Sequence, residues 1–436
     1  MNIRYLEKIK CYLVNNSDKT YYFVNFDTNR IVRAKDGYGE FLDKITHDYL
    51  DFLHSENIAL IKSSDLFPKG KYKPVSATFL MTTKCNLDCI YCYAYNSYEK
   101  DLSFSAARCV IDYLVENAIE RGKEGITIRF HGLGEPTQNF SVLQASIEYA
   151  KDKCRKRNIK VCFHITTNGI MRDYQREFIV NNIDYITLSM DGLDRIQNEQ
   201  RPLHSGDSFA EALKTYNAIK NKDKCLIRTT VTDLNITDLG RWCDFLQSSG
   251  IKQVSIEPVS ICGNCINTNT TDLNNQVFCK EFIKLREEFP QLRIVYSCFQ
   301  HSARPYHCGA FGSNMVLTPF DTISTCYECY DEKEGAQSLF VIGKVDNETV
   351  VIDENKIQLL RERCYELRKE CSTCFAQSYC NGSCLSKRYK SYLEVGNSYC
   401  MVRNKCLITK RILLDKLNSK LNMSISCDHS ETLFDY

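Results

Sequence analysis

The sequence predicts an α/β chain. A partial, TIM-like (β/α)6 barrel spans residues 73–297, preceded by a small α+β domain over 1–72. A cysteine-rich domain follows over 298–410, then a C-terminal helix and tail over 411–436. Three observations carry this expectation. Strand-like and helix-like segments alternate six times between 75 and 288, the pattern of a parallel sheet with outer helices. The short polar and glycine-bearing runs fall where those strands end, the face on which such barrels build their sites. Eleven of the 24 cysteines fall between Cys298 and Cys406.

In the first segment, residues 11–14 and 21–26 are rich in Val, Tyr and Phe. The polar turn Asn15-Asn16-Ser17-Asp18 separates them, so they read as paired strands. Residues 31–33 add a third. Residues 38–61 are helix-prone, with Phe41, Leu42, Ile45, Leu50, Leu53 and Ile58 as the apolar positions. Strands followed by helix give this domain a winged-helix-like outline. Residues 69–74 read as a linker.

The barrel strands are expected at 75–83, 126–131, 160–166, 185–190, 226–231 and 253–257. The helices that follow them are expected at 104–121, 142–157, 172–181, 208–221, 237–248 and 272–288.

Composition narrows the function classes. The 56 basic and 54 acidic residues nearly cancel, and no basic run interleaves with aromatics, so nucleic acid is not implied. No apolar h-region follows Met1. No apolar stretch reaches the roughly 20 residues needed to span a bilayer, so no membrane is expected. The chain reads as cytoplasmic. A reducing compartment does not sustain a disulfide scaffold, so this cysteine excess points to metal.

The first cysteine group is Cys85-Asn86-Leu87-Asp88-Cys89-Ile90-Tyr91-Cys92, spacing C-x3-C-x2-C on the loop after the first barrel strand. Zinc sites favour four ligands in paired C-x2-C spacing. A cubane [4Fe–4S] cluster takes thiolates and normally four of them, so three leave one iron open. The run resembles the signature of radical S-adenosylmethionine (SAM) enzymes, Tyr91 included. There the open iron chelates the amino and carboxylate groups of SAM.

Other strand ends fit the same resemblance. Gly132-Leu133-Gly134-Glu135-Pro136 is similar to the family's G-G-E-P motif, with Leu133 at its first glycine. Gly134 and Glu135 would hold the methionyl amine. Thr167-Asn168-Gly169 and Ser189-Met190-Asp191-Gly192 resemble the T-N-G and S-x-D-G segments. Asn168, Ser189 and Asp191 would line the SAM pocket. Asn-Gly and Asp-Gly are also plain turn chemistry. Arg228 and Arg201 are candidates for SAM's carboxylate, or for structural ion pairs. The chemistry implied is the cofactor's: reductive SAM cleavage to a 5′-deoxyadenosyl radical that abstracts a substrate hydrogen.

The second cysteine group has Cys371, Cys374, Cys380 and Cys384 in C-x2-C-x5-C-x3-C spacing, then Cys400, with Cys308 and Cys326 upstream. It resembles the SPASM domain of peptide-modifying radical SAM enzymes, which binds two auxiliary [4Fe–4S] clusters. That resemblance assigns Cys371, Cys374, Cys380 and Cys400 to one cluster, and Cys308, Cys326 and Cys384 to the other. The fourth position of the latter falls to Cys298, to Cys329 or to an open iron. Cys406 competes with Cys400. A zinc ribbon is the competing reading. Cys262 and Cys265, on the loop after the sixth strand, are open to a redox or ligand role.

The resemblance implies three clusters, SAM, a reducing protein such as flavodoxin or ferredoxin, and a ribosomal precursor peptide. The peptide's leader would be gripped by the N-terminal domain. The expected reaction is an intramolecular crosslink, a thioether. The alternatives are a carbon–carbon or carbon–oxygen crosslink, formylglycine formation of the anaerobic sulfatase-maturing kind, or a plain iron–sulfur electron carrier. Sulfatase maturases carry an aspartate after the second cysteine of this domain, whereas Tyr327 follows Cys326 here.

Overall fold

A computed structural model of the chain describes residues 2–6, 11–15, 21–25, 30–33, 70–94, 99–260, 262–265, 267–268, 270–271, 273–297, 307–330, 335–371, 374, 376, 380–398 and 400–421. The chain divides into two compact units. One comprises Met1–Gly70, Cys298–Cys308 and Arg363–Tyr436; the other comprises Lys71–Ser297 and Gly309–Glu362.

In the first unit, β1 (Asn2–Leu6), β2 (Cys11–Asn15), β3 (Tyr21–Asn25) and β4 (Arg30–Arg33) form an antiparallel meander in that order. The sequence reading found β2 to β4 and missed β1. The helix expected at 38–61 lies outside the described residues. Cysteine-bearing loops lead to helices Leu385–Val395 and Arg403–Leu421.

The second unit is built on one sheet. Its parallel strands are β5 (Ser76–Leu80), β6 (Gly125–His131), β7 (Lys160–Thr167), β8 (Tyr185–Ser189), β9 (Cys225–Val231), β10 (Gln253–Pro258) and β11 (Arg293–Val295), each beside the next. The six expected β/α units are all present, with helices Phe104–Glu120, Phe140–Lys156, Asp173–Asn182, Ser208–Ala218, Leu239–Ser248 and Asn275–Glu288. Side-chain caps start three of them: Ser103 accepts from the Ala106 N–H at 3.1 Å, and Asp207 and Asn274 do the same for their helices. Beyond β5 the sheet continues through β12 (Val316–Leu317), β13 (Thr322–Ser324), β14 (Val341–Asp346) and β15 (Thr349–Ile352), which the sequence reading did not foresee. Residues 309–362 therefore group with the barrel.

Register separates the two faces. Ile128, Phe130, Phe163, Ile165, Leu188 and Ile227 share the buried face. Phe130 sits between Phe79 and Phe163 at centroid distances of 6.0 and 6.2 Å. The opposite face carries Arg129, His131, His164, Thr166, Ser189, Arg228, Ser255 and Glu257, one strand after another. A closed barrel fills its interior with branched apolar side chains. This interior is instead polar and half-exposed. Among the described residues no helix is long and apolar enough to cross a membrane.

Candidate functional site

The cysteine loop leaves the end of β5 and is pinned along its length. Thr82 and Lys84 both bond Asp101, at 2.6 and 2.7 Å. The loop after β6 comes up against it, with Gly134 N–H on Thr82 O and Glu135 N–H on Lys84 O, both 2.8 Å. A Cβ at Gly134 would stand 1.8 Å from Lys84 O, so only glycine permits this approach. Further on, Asp88 and Ile90 donate to the carbonyls of Pro202 and Gln200.

A segment after β10 secures the far end. Asn264 donates from its backbone to Cys92 O at 2.9 Å and from its side chain to Cys89 O at 3.0 Å. Thr268 donates to Ile90 O at 2.7 Å. Gly263, at φ +54, lies flat on Cys92. Cys265 is buried in this segment, close enough to Cys92 to raise its pKa, and both Cys262 and Cys265 donate to Ser260 O.

Cys85 is exposed, and Cys89 and Cys92 are half-buried. Burial pushes the Cys85 and Cys89 thiols up to about 12, and Cys89 and Cys92 each raise Cys85. The Cys85 residue meets solvent, while desolvation acts on its thiol. Ionised sulfurs at these positions need added positive charge, which iron supplies and which Arg201 begins, its Nη1 3.8 Å from Cys89 Sγ. Among the described residues no three His, Cys, Asp or Glu side chains converge on a single ion. A cubane asks for less convergence, since each thiolate takes its own iron. The donor set fits such a cluster.

Next to the loop, the buried Glu135 carboxylate ties two strand ends together. Its Oε1 accepts from Thr137 N–H, Thr137 Oγ1 and Thr167 Oγ1, at 3.2, 2.9 and 2.7 Å. Its Oε2 accepts the Asn168 N–H at 2.8 Å. A carboxylate oxygen takes about two donors, so Oε2 retains one acceptor position. Burial raises the Glu135 pKa despite these bonds. Asn168 in turn donates to Asn86 on the cysteine loop at 2.8 Å.

Asp191 is fully buried at the end of β8. It accepts from Thr230 N–H at 2.8 Å, from Arg201 Nε at 2.9 Å and from the Tyr91 hydroxyl. The Arg201 guanidinium also lies over the Tyr91 ring, 5.3 Å from its centroid. Arg201 is thus committed to Asp191. Arg228 is exposed on the polar face, one strand from Ser189, and makes no hydrogen bond or ion pair among the described residues.

Sequence reasoning missed Tyr93, His131, Tyr327, Asn264 and Thr268. His131 stacks on Tyr327 at 5.3 Å, and the Tyr327 hydroxyl meets Thr78 Oγ1 at 3.2 Å. Glu328 and Arg228 both act electrostatically on Tyr93. Cys326 and Cys329 face each other across an isolated bridge in the same stretch. Cys308 and Cys384 belong to the other unit, and Cys298 lies outside the described residues.

Burial pushes His131 down to about 4 from 6.5, and the Arg228 charge adds to this. Between those pH values the unfolded chain binds a proton that the folded chain refuses. The His131 contribution therefore costs stability progressively as pH falls through that window. Urea unfolding across it should show a shallower acid loss in His131→Phe, which keeps the stack on Tyr327. An identical slope in both proteins would refute this.

In the first unit, Cys380 is buried and Cys371, Cys374, Cys384 and Cys406 are half-buried. Cys374 has Cys371, Cys406 and Lys410 as electrostatic neighbours, and burial pushes its thiol up to about 11. The Cys400 side chain lies outside the described residues. Two observations fit an anionic sulfur-bearing group here. Arg388 donates to Cys371 Sγ at 3.1 Å, and the buried Ser383 Oγ and Arg388 Nε have no hydrogen-bond partner among the described residues.

Comparison with known proteins follows the same lines. The uncharacterized protein MJ0907 of Methanocaldococcus jannaschii is 32% identical over 285 residues, 64% of this chain and 89% of that protein. The Fe-coproporphyrin III synthase of Methanosarcina barkeri is 27% identical over 43% of this chain and 44% of its own. A cysteine-type anaerobic sulfatase-maturating enzyme of Clostridium novyi is 31% identical over 28% of this chain and 33% of its own. Among solved structures, anSMEcpe with bound AdoMet and Cp18Cys peptide superposes with TM-score 0.60 at 18% identity, over 80% of this chain and 99% of that one. Streptococcus suis SuiB bound to precursor peptide SuiA gives 0.53 at 13% identity, over 86% and 96%. At these identities the structures speak to the fold. The Radical SAM superfamily profile matches residues 79–246, the stretch that holds the cysteine loop, Glu135 and Asp191, and the chain belongs to the radical SAM superfamily.

Proposed function

We propose that this radical SAM enzyme is a maturase of a ribosomally made peptide and installs an intramolecular crosslink, a thioether. Cys85, Cys89 and Cys92 would hold the [4Fe–4S] cluster. Glu135 Oε2 would accept from the SAM ammonium, and Arg228, the uncommitted guanidinium, would take its carboxylate. Tyr91, Gly134, Asn168, Ser189 and Asp191 would shape the pocket around it. Arg201 would serve as the cation between Asp191 and Cys89. Bound there, cluster and SAM supply a carbon radical able to take hydrogen from an unactivated C–H bond. The chain's own task is to hold that bond in place and keep water out.

Auxiliary [4Fe–4S] clusters in a SPASM domain would use Cys371, Cys374, Cys380 and Cys400, and Cys308, Cys326 and Cys384. An open fourth position in the second set, for which Cys298 and Cys329 also compete, would leave an iron for a substrate thiolate. Peptides occur in the solved relatives with the same fold, and β1 and β4 are sheet edges of the kind that pair with an extended leader. A flavodoxin or ferredoxin of the cytoplasm would supply electrons.

The observation that carries the crosslink over formylglycine is at position 327. The tyrosine there is engaged by His131 and Thr78, so no carboxylate follows Cys326 directly. Glu328, which acts electrostatically on Tyr93, favours the sulfatase-maturase reading as the second choice. The deciding experiment is anaerobic turnover of a cysteine-bearing precursor peptide, read by tandem mass spectrometry after thiol alkylation. A thioether removes two hydrogens and one alkylatable thiol per bond. Loss of two hydrogens with every thiol alkylatable would exclude it, and an aldehyde that captures a hydrazide would point to formylglycine.

A further inference from the structure

The C-terminal cysteine field buries two guanidinium groups close to its sulfurs. Arg388 is 1% exposed and Arg368 is 7% exposed. The two act on each other electrostatically, and both act on Cys371 and Cys380. The carboxylate that meets Arg388 is Glu370, at 3.0 Å and 53% exposed, where solvent weakens it. Arg388 is held rigidly, by Gly382 O at 3.0 Å and Ser398 Oγ at 3.1 Å as well as by Cys371 Sγ at 3.1 Å.

The backbone beside these arginines is shaped to the same end. Asn381, Gly382 and Ser383 are consecutive left-handed residues, at φ +53, +80 and +61. Two of the three are not glycine, and such strain persists only where surroundings enforce it. The turn brings Gly382 within 3.6 Å of Arg388 Nη1, measured from where its Cβ would be. It also buries Ser383 Oγ with no hydrogen-bond partner among the described residues. A neutral thiol is a poor acceptor for a guanidinium, whereas a thiolate is a strong one.

We infer that Arg368 and Arg388 raise the reduction potential of the iron–sulfur group on Cys371, Cys374 and Cys380, with Arg388 acting through its bond to Cys371. The inference rests on the auxiliary-cluster reading above. Reduction adds an electron to a group that is already anionic, and buried cations favour the more negative state. Hydrogen bonds to cluster sulfurs act in the same sense. Ser383 Oγ, buried and with no hydrogen-bond partner among the described residues, is a second donor available to the group.

The test uses the full chain, reconstituted anaerobically with iron and sulfide. Dithionite redox titration followed by electron paramagnetic resonance reads each cluster's midpoint. The relevant signal is the one that Cys371→Ala with Cys374→Ala removes. In Arg388→Gln its one-electron reduction constant should fall at least tenfold, a shift of about 59 mV to lower potential. The other clusters should stay in place. Arg388→Lys, which keeps the charge, should recover most of the shift. Ser383→Ala should move the same signal the same way by less, and it serves if Arg388→Gln does not fold. A signal present but unmoved in Arg388→Gln, or in Ser383→Ala and Arg368→Gln if that variant is lost, overturns the inference alone. Zinc in place of iron, with no signal lost in the double cysteine variant, overturns the auxiliary-cluster reading and the inference with it.

Discussion

Protein carrying Cys85→Ala, Cys89→Ala and Cys92→Ala together, reconstituted anaerobically, should hold about four fewer irons than its parent and make no 5′-deoxyadenosine from SAM under strong reduction. The three sulfurs sit on one loop that is held from four directions: by Gly134 and Glu135, by Asp101 through the Thr82 and Lys84 side chains, by the 200–202 stretch and by Asn264 with Thr268. Their removal therefore takes away the ligands and leaves the loop fastened. Any remaining iron would report the C-terminal cysteines, of which Cys308, Cys371, Cys374, Cys380 and Cys384 belong to the other unit. The same assay separates an enzyme from an iron–sulfur electron carrier, since a carrier makes no 5′-deoxyadenosine even with every cysteine present. Unchanged SAM cleavage in the triple variant would sink the assignment of this loop.

Much of the barrel could be read from the chain because each strand writes its two faces in alternate letters. In β6, Ile126, Ile128 and Phe130 alternate with Thr127, Arg129 and His131. That alternation is unusual for parallel strands, which run apolar when both faces are packed. Its physical meaning is an interior left open for ligands, and it was visible before any coordinates. Glycines and acids at strand ends were equally visible, because a turn must occur there and a buried Glu135 or Asp191 must find donors.

What could not be read is which distant groups meet. Arg201 was one of two candidate arginines, and the sequence favoured the other, Arg228. Only the fold shows that a seven-residue helix, Asp194–Gln200, delivers it to Asp191 and Cys89. Asn264 and Thr268 lie more than 170 positions from the carbonyls they hold, and nothing local marks them. Strands β12 and β13, of two and three residues, are too short for any period to register. β1 does alternate, Asn2-Ile3-Arg4-Tyr5, yet a strand of five residues gives that pattern little weight against chance.

Gly134→Ala should be severely damaging for a single added methyl group. Its Cβ would lie 1.8 Å from Lys84 O, 2.4 Å from Lys84 C and 2.8 Å from Thr83 C, all backbone atoms that cannot rotate away. Relief requires parting the β6 loop from the cysteine loop, which breaks the Gly134–Thr82 and Glu135–Lys84 hydrogen bonds. Overpacking and two lost bonds together cost about 3 kcal/mol or more. The larger effect is on geometry. Lys84 directly precedes Cys85, and Glu135 is the acceptor proposed for the SAM ammonium, so one displacement misplaces both partners. A shift of about 1 Å at a reacting centre costs roughly 100-fold, and SAM cleavage should fall at least that far while the fold persists. Gly240→Ala is the matched control. Gly240 lies within the helix Leu239–Ser248 with nothing within 4 Å of its would-be Cβ, and alanine there should stabilise by about 0.5–1 kcal/mol. Parallel measurements of iron content, thermal stability and 5′-deoxyadenosine yield distinguish the two. If Gly134→Ala kept the parent's yield, the loop after β6 would have no part in holding the cysteine loop and the SAM ammonium in one arrangement.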